Sequence, residues 1–234
     1  MTDQPLTSAT PLQQVQQRIR RACLEYDREP HSVTLLAVSK TRSSEELRAM
    51  AAQGIHRFGE NYLQEALQKI EALDDLTLEW HFIGPIQSNK TRPLAEHFDW
   101  VHTVGRLKVA RRLSEQRPVH LPPLQLCLQV NISGEQSKSG VSLAELAQLA
   151  HEVARLPHVR LRGLMAIPAP ADNFEQQRLP FAQLRQALEQ LRGEGLELDT
   201  LSMGMSDDLE AAIAEGATLV RIGTALFGPR PPKR

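Results

Sequence analysis

Short apolar runs alternate along this chain with longer stretches whose apolar positions recur every three or four residues. Residues 33–39, VTLLAVS, are the first such run, and residues 43–54, SSEELRAMAAQG, the periodic stretch that follows it. A short, nearly continuous apolar run reads as a buried strand, and a 3.6-residue period reads as an amphipathic helix. Strand-like runs recur at 55–59, 79–84, 99–104, 124–132, 159–167, 198–204 and 218–228. Helical patterns fall between them at 61–73, in a short piece after 88–93, and at 106–117, 142–156, 173–193 and 206–216. A polar amphipathic helix over 11–26 precedes the series. Ser43 and Glu46 have capping-box spacing and Gly54 suits a helix stop. Pro180, inside 173–193, predicts a kink or a break there.

Eight strand candidates, each except the last followed by a clear helix, imply a parallel sheet. Eight such units favour closure into a single (β/α)8 TIM-like barrel. The competing architecture is an open doubly wound sheet, but no G-x-G-x-x-G fingerprint opens any of these helices. The expected organisation is one barrel domain over residues 11–229. A flexible N-terminus over 1–10 and a proline-rich, flexible tail over 230–234 flank it.

A length of 234 residues suits one barrel. A net charge of −1 argues against a dedicated nucleic-acid or membrane surface, and the 4% aromatic content argues against stacking platforms for single strands. No apolar segment approaches the roughly 20 residues of a membrane span, and the first residues lack a cleavable leader pattern. Cys23 and Cys127 have neither metal-ligand spacing nor the look of a disulfide framework. The expectation is a cytoplasmic protein.

Barrels of this kind build their sites at the C-terminal ends of the strands, often with phosphate held after strands 7 and 8. The end of strand 1 carries Lys40, between Ser39 and Thr41. The end of strand 7 is SMGMSDD, with Gly204 and Ser206, and the end of strand 8 is RIGTALFG, with Gly223 and Thr224. Small residues ahead of a helix make a ready anion cradle. Strands 1 and 8 are neighbours in a closed barrel, so an amine and a phosphate cradle share one mouth. That pairing suits a phosphorylated carbonyl compound held as an imine, either pyridoxal 5′-phosphate or a sugar phosphate. Arg221, two residues before Gly223, faces the same side of strand 8. Its guanidinium only donates hydrogen bonds, so it would leave a pyridine nitrogen unprotonated and the ring a weak electron sink.

AVSKT, FGENYLQE, WHFIGPIQSNK, the loop from Asn131 to Gly140, GLMAI, LSMGMSDD and RIGTALFG occur in this order. Together they resemble the pyridoxal phosphate homeostasis protein family over roughly residues 10–228. That family is similar to the N-terminal barrel of alanine racemase. The resemblance implies that the chain binds pyridoxal 5′-phosphate without established catalysis and contributes to balancing cofactor and amino-acid pools. It makes Lys40 the Schiff-base lysine. Ser206, Gly223 and Thr224 would hold the phosphate, Arg221 would face the pyridine nitrogen, and Asn61, His81 and Met165 would line the ring pocket. Apo PLP-dependent enzymes are the expected acceptors, and a monomer is the expected state.

Each residue also has a plainer reading. Lys40 by itself is a strand-end lysine reaching solvent; the ends of strands 7 and 8 reverse that preference. Lys138, in the polar loop 133–140, is the rival imine former. Arg221 is also placed to pair with Asp207 or Asp208, and Ser206 is a good helix N-cap. His56, His97, His102 and His151 have no ligand-like spacing. The alternative function is a PLP-dependent amino-acid racemase. Two-base racemisation needs a second base facing the lysine, and alanine racemase draws its tyrosine from a separate domain. About a dozen residues follow strand 8 here, and the tyrosines are Tyr26 and Tyr62. A sugar-phosphate aldolase would need an acid–base network beside Lys40, and no carboxylate is clearly positioned for one.

Overall fold

A computed structural model describes residues 9–134 and 139–229. Helix α1 (Pro11–Glu25) comes first, followed by β1 (Thr34–Val38), α2 (Ser44–Ala52), β2 (Arg57–Glu60) and α3 (Leu63–Ala72). Next are β3 (Glu79–Phe82), α4 (Thr91–His97), β4 (Trp100–Val104), α5 (Leu107–Gln116) and β5 (Leu124–Gln129). The chain continues with α6 (Leu143–Ala154), β6 (Val159–Met165), α7 (Phe174–Gly193), β7 (Thr200–Ser202), α8 (Leu209–Ala214), β8 (Leu219–Ile222) and α9 (Thr224–Phe227). The strands pair in sequence order and close, with β1 parallel to β8 and Leu36 opposite Arg221. The (β/α)8 barrel expected from the alternating pattern is the fold.

Two cores follow from strand alternation. Leu124, Leu126 and Leu128 of β5 belong to the large core shared with the helices. Inside the barrel, Leu36, Ile83 and Leu219, with Val38 against them, form a small separate apolar cluster. Much of the remaining interior is polar, and this shapes the site.

The local signals act as the sequence suggests in most places. Ser43 accepts from Glu46 N while the Glu46 side chain accepts from Ser43 N, completing the capping box of α2. Gly54 follows the helix at φ 95°. Thr10 and Gln13 form the same box on α1, ahead of Pro11.

Three expectations need correction. Helix α7 runs unbroken through Pro180: Phe181, Leu184, Leu188 and Leu191 bury the part after the proline, and Phe174 packs against the core at the start of the part before it. The N-cap of α8 is Asp208, not Ser206; Ser206 stands two residues earlier, in the loop. The run at 218–228 is not one strand: β8 stops at Ile222, and the chain turns at Gly223, whose carbonyl accepts from Leu226 N and Phe227 N of the short α9. Lys138 and the 230–234 tail lie outside the described residues, as do residues 1–8 of the N-terminal segment.

Candidate functional site

A pocket of about 220 Å³ opens at the C-terminal rim of the barrel. Val38 and Lys40 line it from β1, Asn61 from β2, Ile83 from β3 and Ile167 from β6. Met205, Ser206 and Asp207 close it after β7, Arg221 from β8 itself, and Gly223 and Thr224 just beyond β8. Six of the eight residues singled out in the sequence therefore meet in one place: Lys40, Asn61, Ser206, Arg221, Gly223 and Thr224. His81 and Met165 do not line it. His81 sits lower in the barrel, and Met165 is fully buried. Arg42, Ile83, Ile167 and Met205 line the pocket without having been singled out. Their common signal is position, at or just beyond strand ends.

The loop after β1 is held from beneath. Lys69 of α3, itself 4% exposed, donates to Ser39 O (2.7 Å), Glu60 Oε1 (2.7 Å) and Glu65 Oε1 (2.5 Å). Ser39 Oγ donates to Glu60 Oε1 (2.5 Å), and Thr41 N donates to Glu65 Oε1 (2.6 Å). Both backbone neighbours of Lys40 are thus tied to α3. Thr41 has φ 64°, a left-handed conformation that costs a β-branched residue energy and persists only where surroundings impose it. Arg42 adds a third tie by donating to Gly228 O at 2.5 Å.

Close backbone packing shapes the rim. At Gly84 a Cβ would lie 2.1 Å from Asn61 O, so only glycine lets the end of β3 press on Asn61. At Gly204, φ is 98° and a Cβ would lie 2.6 Å from Ala212 Cβ. That turn delivers Ser206 to the pocket and presents Gly204 O to Arg221 N (2.9 Å).

Arg221 is 4% exposed, and burial pushes its guanidinium down to about 10, which leaves it charged at neutral pH. Nη1 donates to Ser202 Oγ (2.8 Å) and Nη2 to Ala166 O (2.9 Å). Neither Asp207 nor Asp208 forms an ion pair with it. Asp208 accepts from Met205 N instead, with burial raising its pKa. The structural ion-pair reading of Arg221 does not apply.

His81, expected at the ring pocket, and His102, unremarkable in sequence, are completely enclosed partners. His81 Nδ1 lies 2.8 Å from His102 Nε2, and His81 Nε2 lies 2.7 Å from Glu79 Oε1. His102 Nδ1 lies 2.8 Å from Ser202 Oγ, across the barrel from β4 to β7. Burial lowers the pKa of His81 and takes that of His102 well below the usual histidine value. Cys127, also inside, has its thiol pushed up to about 12 by burial, which suits a packed and unreactive cysteine.

A pyridoxal phosphate fits the chemistry of this rim. Asn61 Oδ1 is buried without a hydrogen-bond partner beside the pocket, a polar atom whose desolvation is otherwise uncompensated. An amine, a donor-only guanidinium and a hydroxyl-bearing turn face the same space. Among the described residues, no cluster of His, Cys, Asp or Glu is arranged to hold a metal, and no helix is long and apolar enough to cross a membrane.

The alanine racemase N-terminal domain family matches residues 12–231. The pyridoxal phosphate homeostasis protein of Pseudomonas aeruginosa is 62% identical over 96% of this chain and 96% of its own length. The chain belongs to that family. PipY of Synechococcus elongatus, in a structure with PLP bound, superposes with a TM-score of 0.78 at 39% identity, covering 89% of this chain and 98% of PipY. Alanine racemase from Corynebacterium glutamicum shares the fold, with a TM-score of 0.67 at 21% identity over 93% of this chain and 61% of the racemase.

Proposed function

We propose that this chain binds pyridoxal 5′-phosphate in the rim pocket, as a Schiff base on Lys40, and serves cytoplasmic PLP and amino-acid homeostasis as a monomeric carrier. The observation that carries the reading is the convergence of Lys40, Asn61, Arg221, Ser206, Gly223 and Thr224 on one small space. The PLP bound in PipY supports it. Bound there, the cofactor supplies an aldehyde carbon that condenses with an amine as water leaves.

Each residue then has a defined task. Lys40 brings the amine, steered by the bonds that Glu65 and Lys69 make to its two neighbours. Ser206 and Thr224 offer hydroxyls to the phosphate, and Gly223 leaves that wall without a side chain. Arg221 donates toward the pyridine nitrogen and has no proton to lose at neutral pH, which keeps the ring a poor electron sink. His81 and Met165 support the pocket from inside the barrel rather than lining it. Reversible holding of this kind suits delivery to apo PLP-dependent enzymes.

Racemisation would need a base opposite Lys40. Tyr62 is 54% exposed and stands outside the pocket, so no tyrosine is poised for that role among the lining residues. The decisive experiment is borohydride reduction of PLP-loaded protein followed by peptide mass spectrometry. A pyridoxyl adduct on Lys40, absent from Lys40→Ala, is the expected result. An adduct on Lys138, or none, would overturn the reading. Rapid racemisation of any amino acid would move the protein to the enzyme class.

A further inference from the structure

Inside the barrel, five side chains form a continuous file from one mouth to the other: Arg221, Ser202, His102, His81 and Glu79. Successive contacts are 2.8, 2.8, 2.8 and 2.7 Å. The carboxylate end dictates the direction of the protons, because an ionised carboxylate can only accept. His81 therefore carries its proton on Nε2 and donates to Glu79 Oε1. Neutral His81 accepts at Nδ1 from His102 Nε2, and neutral His102 accepts at Nδ1 from the Ser202 hydroxyl. At the other end the donor-only Arg221 guanidinium meets a lone pair of Ser202 Oγ. Reversing any link would set an unprotonated His81 Nε2 against the carboxylate.

The surroundings keep this arrangement in place. His81 stacks on Trp100 at 5.3 Å and 9°, and Arg162 lies over the Trp100 ring at 4.8 Å. The bond to His81 lowers the pKa of Glu79, which also accepts from Arg57 at 3.2 Å, so the accepting end stays ionised. Glu79 is 38% exposed at the N-terminal mouth, where a cavity of about 1030 Å³ opens among Arg57, Asp99, Trp100 and Arg162.

We propose that Glu79, His81, His102 and Ser202 form a one-way hydrogen-bond relay that fixes the orientation of Arg221, so that the far mouth of the barrel acts on the cofactor pocket through the core. These four are positioning residues. The second half of the proposal rests on the reading that Arg221 faces PLP.

The test has two arms. In cofactor-free protein, long-range proton–nitrogen spectra of the histidine rings at pH 7.5 should show both His81 and His102 as neutral Nε2–H tautomers. Glu79→Gln, whose amide both donates and accepts, should let an Nδ1–H population appear. An Nδ1–H tautomer or a cationic ring in the parent protein would overturn the relay. In the second arm, Ser202→Ala should weaken PLP binding about tenfold, the effect of losing one hydrogen bond to a charged group, while Ser202→Thr restores it. Equal affinity in the alanine variant would overturn the action on the pocket. Should that variant fail to fold, Glu79→Gln carries this arm on the same scale of loss. Arg221→Gln separates the two readings: parent-like PLP affinity there would remove Arg221 from the cofactor, whereas the tautomers would still report the relay itself.

Discussion

Glu60 ends β2 with its carboxylate fully enclosed, and burial raises its pKa against the pull of Lys69 and the bond from Ser39. Its Oε2 has no partner, so Oε1 alone carries the compensation, and Lys69 is the countercharge. A buried pair contributes little over an apolar pair, but breaking it by removing one partner is costly. Lys69→Met is therefore expected to destabilise the fold by about 3–5 kcal/mol in urea unfolding. Glu60→Gln added to that variant should recover a good part of the loss. A single-variant loss below about 1 kcal/mol would mean that the cluster behaves like a solvated surface pair. The same residues flank Lys40, so the variant also tests how its loop is held. Nothing in VTLLAVSKT announces this: Lys69 is one more polar position in a helical pattern, and its buried partners Glu60 and Ser39 lie 9 and 30 residues away in sequence.

Among the elements, α2 is the most direct link from sequence to site, because its N-cap Ser43 stands three residues after Lys40. Its capping box satisfies two backbone donors that would otherwise lack partners in the first turn. Ser43→Ala should cost about 1 kcal/mol, read as a lower thermal midpoint, while Ser43→Asp should keep most of the stability. Equal midpoints for the parent and the alanine variant would assign the helix start to tertiary packing alone. The elements were legible because period and capping are local properties, repeated eight times with the same apolar signature. What failed to read correctly was set by partners distant in sequence. Pro180 is tolerated because the far side of α7 is anchored on the barrel. Asp208 rather than Ser206 stands at the N-cap position of α8, and its carboxylate turns back to accept from Met205 N instead of capping the helix. His81 and Met165 were drawn to the pocket by motif membership, whereas their height along the barrel depends on strand register.

For the whole molecule, the closed sheet gives the strand-end rule its force: once β1 pairs with β8, Lys40 and the Gly223 turn must share a rim, which the alternating pattern alone implied. The polar interior was not implied, because His102 meets Ser202 one hundred residues away. That interior makes stability depend on pH. Burial holds the folded-state pKa of both His81 and His102 below the usual 6.5, despite Glu79 and Asp99 acting on His81 in the opposite sense. Arg57 near His81, and Arg221 and His81 near His102, push further down. Below pH 6.5 the unfolded chain binds protons at these two positions that the folded chain refuses. Stability is thus fully present above 6.5 and lost as pH falls from there toward the folded-state values. Each histidine contributes a slope of about 1.4 kcal/mol per pH unit within that window. Urea unfolding from pH 7.5 to 5.5 should show the midpoint falling steadily below pH 6.5, and His102→Gln should flatten the slope by about half. A midpoint independent of pH over that range would mean that the core accepts protons and that the interior histidines are not held neutral.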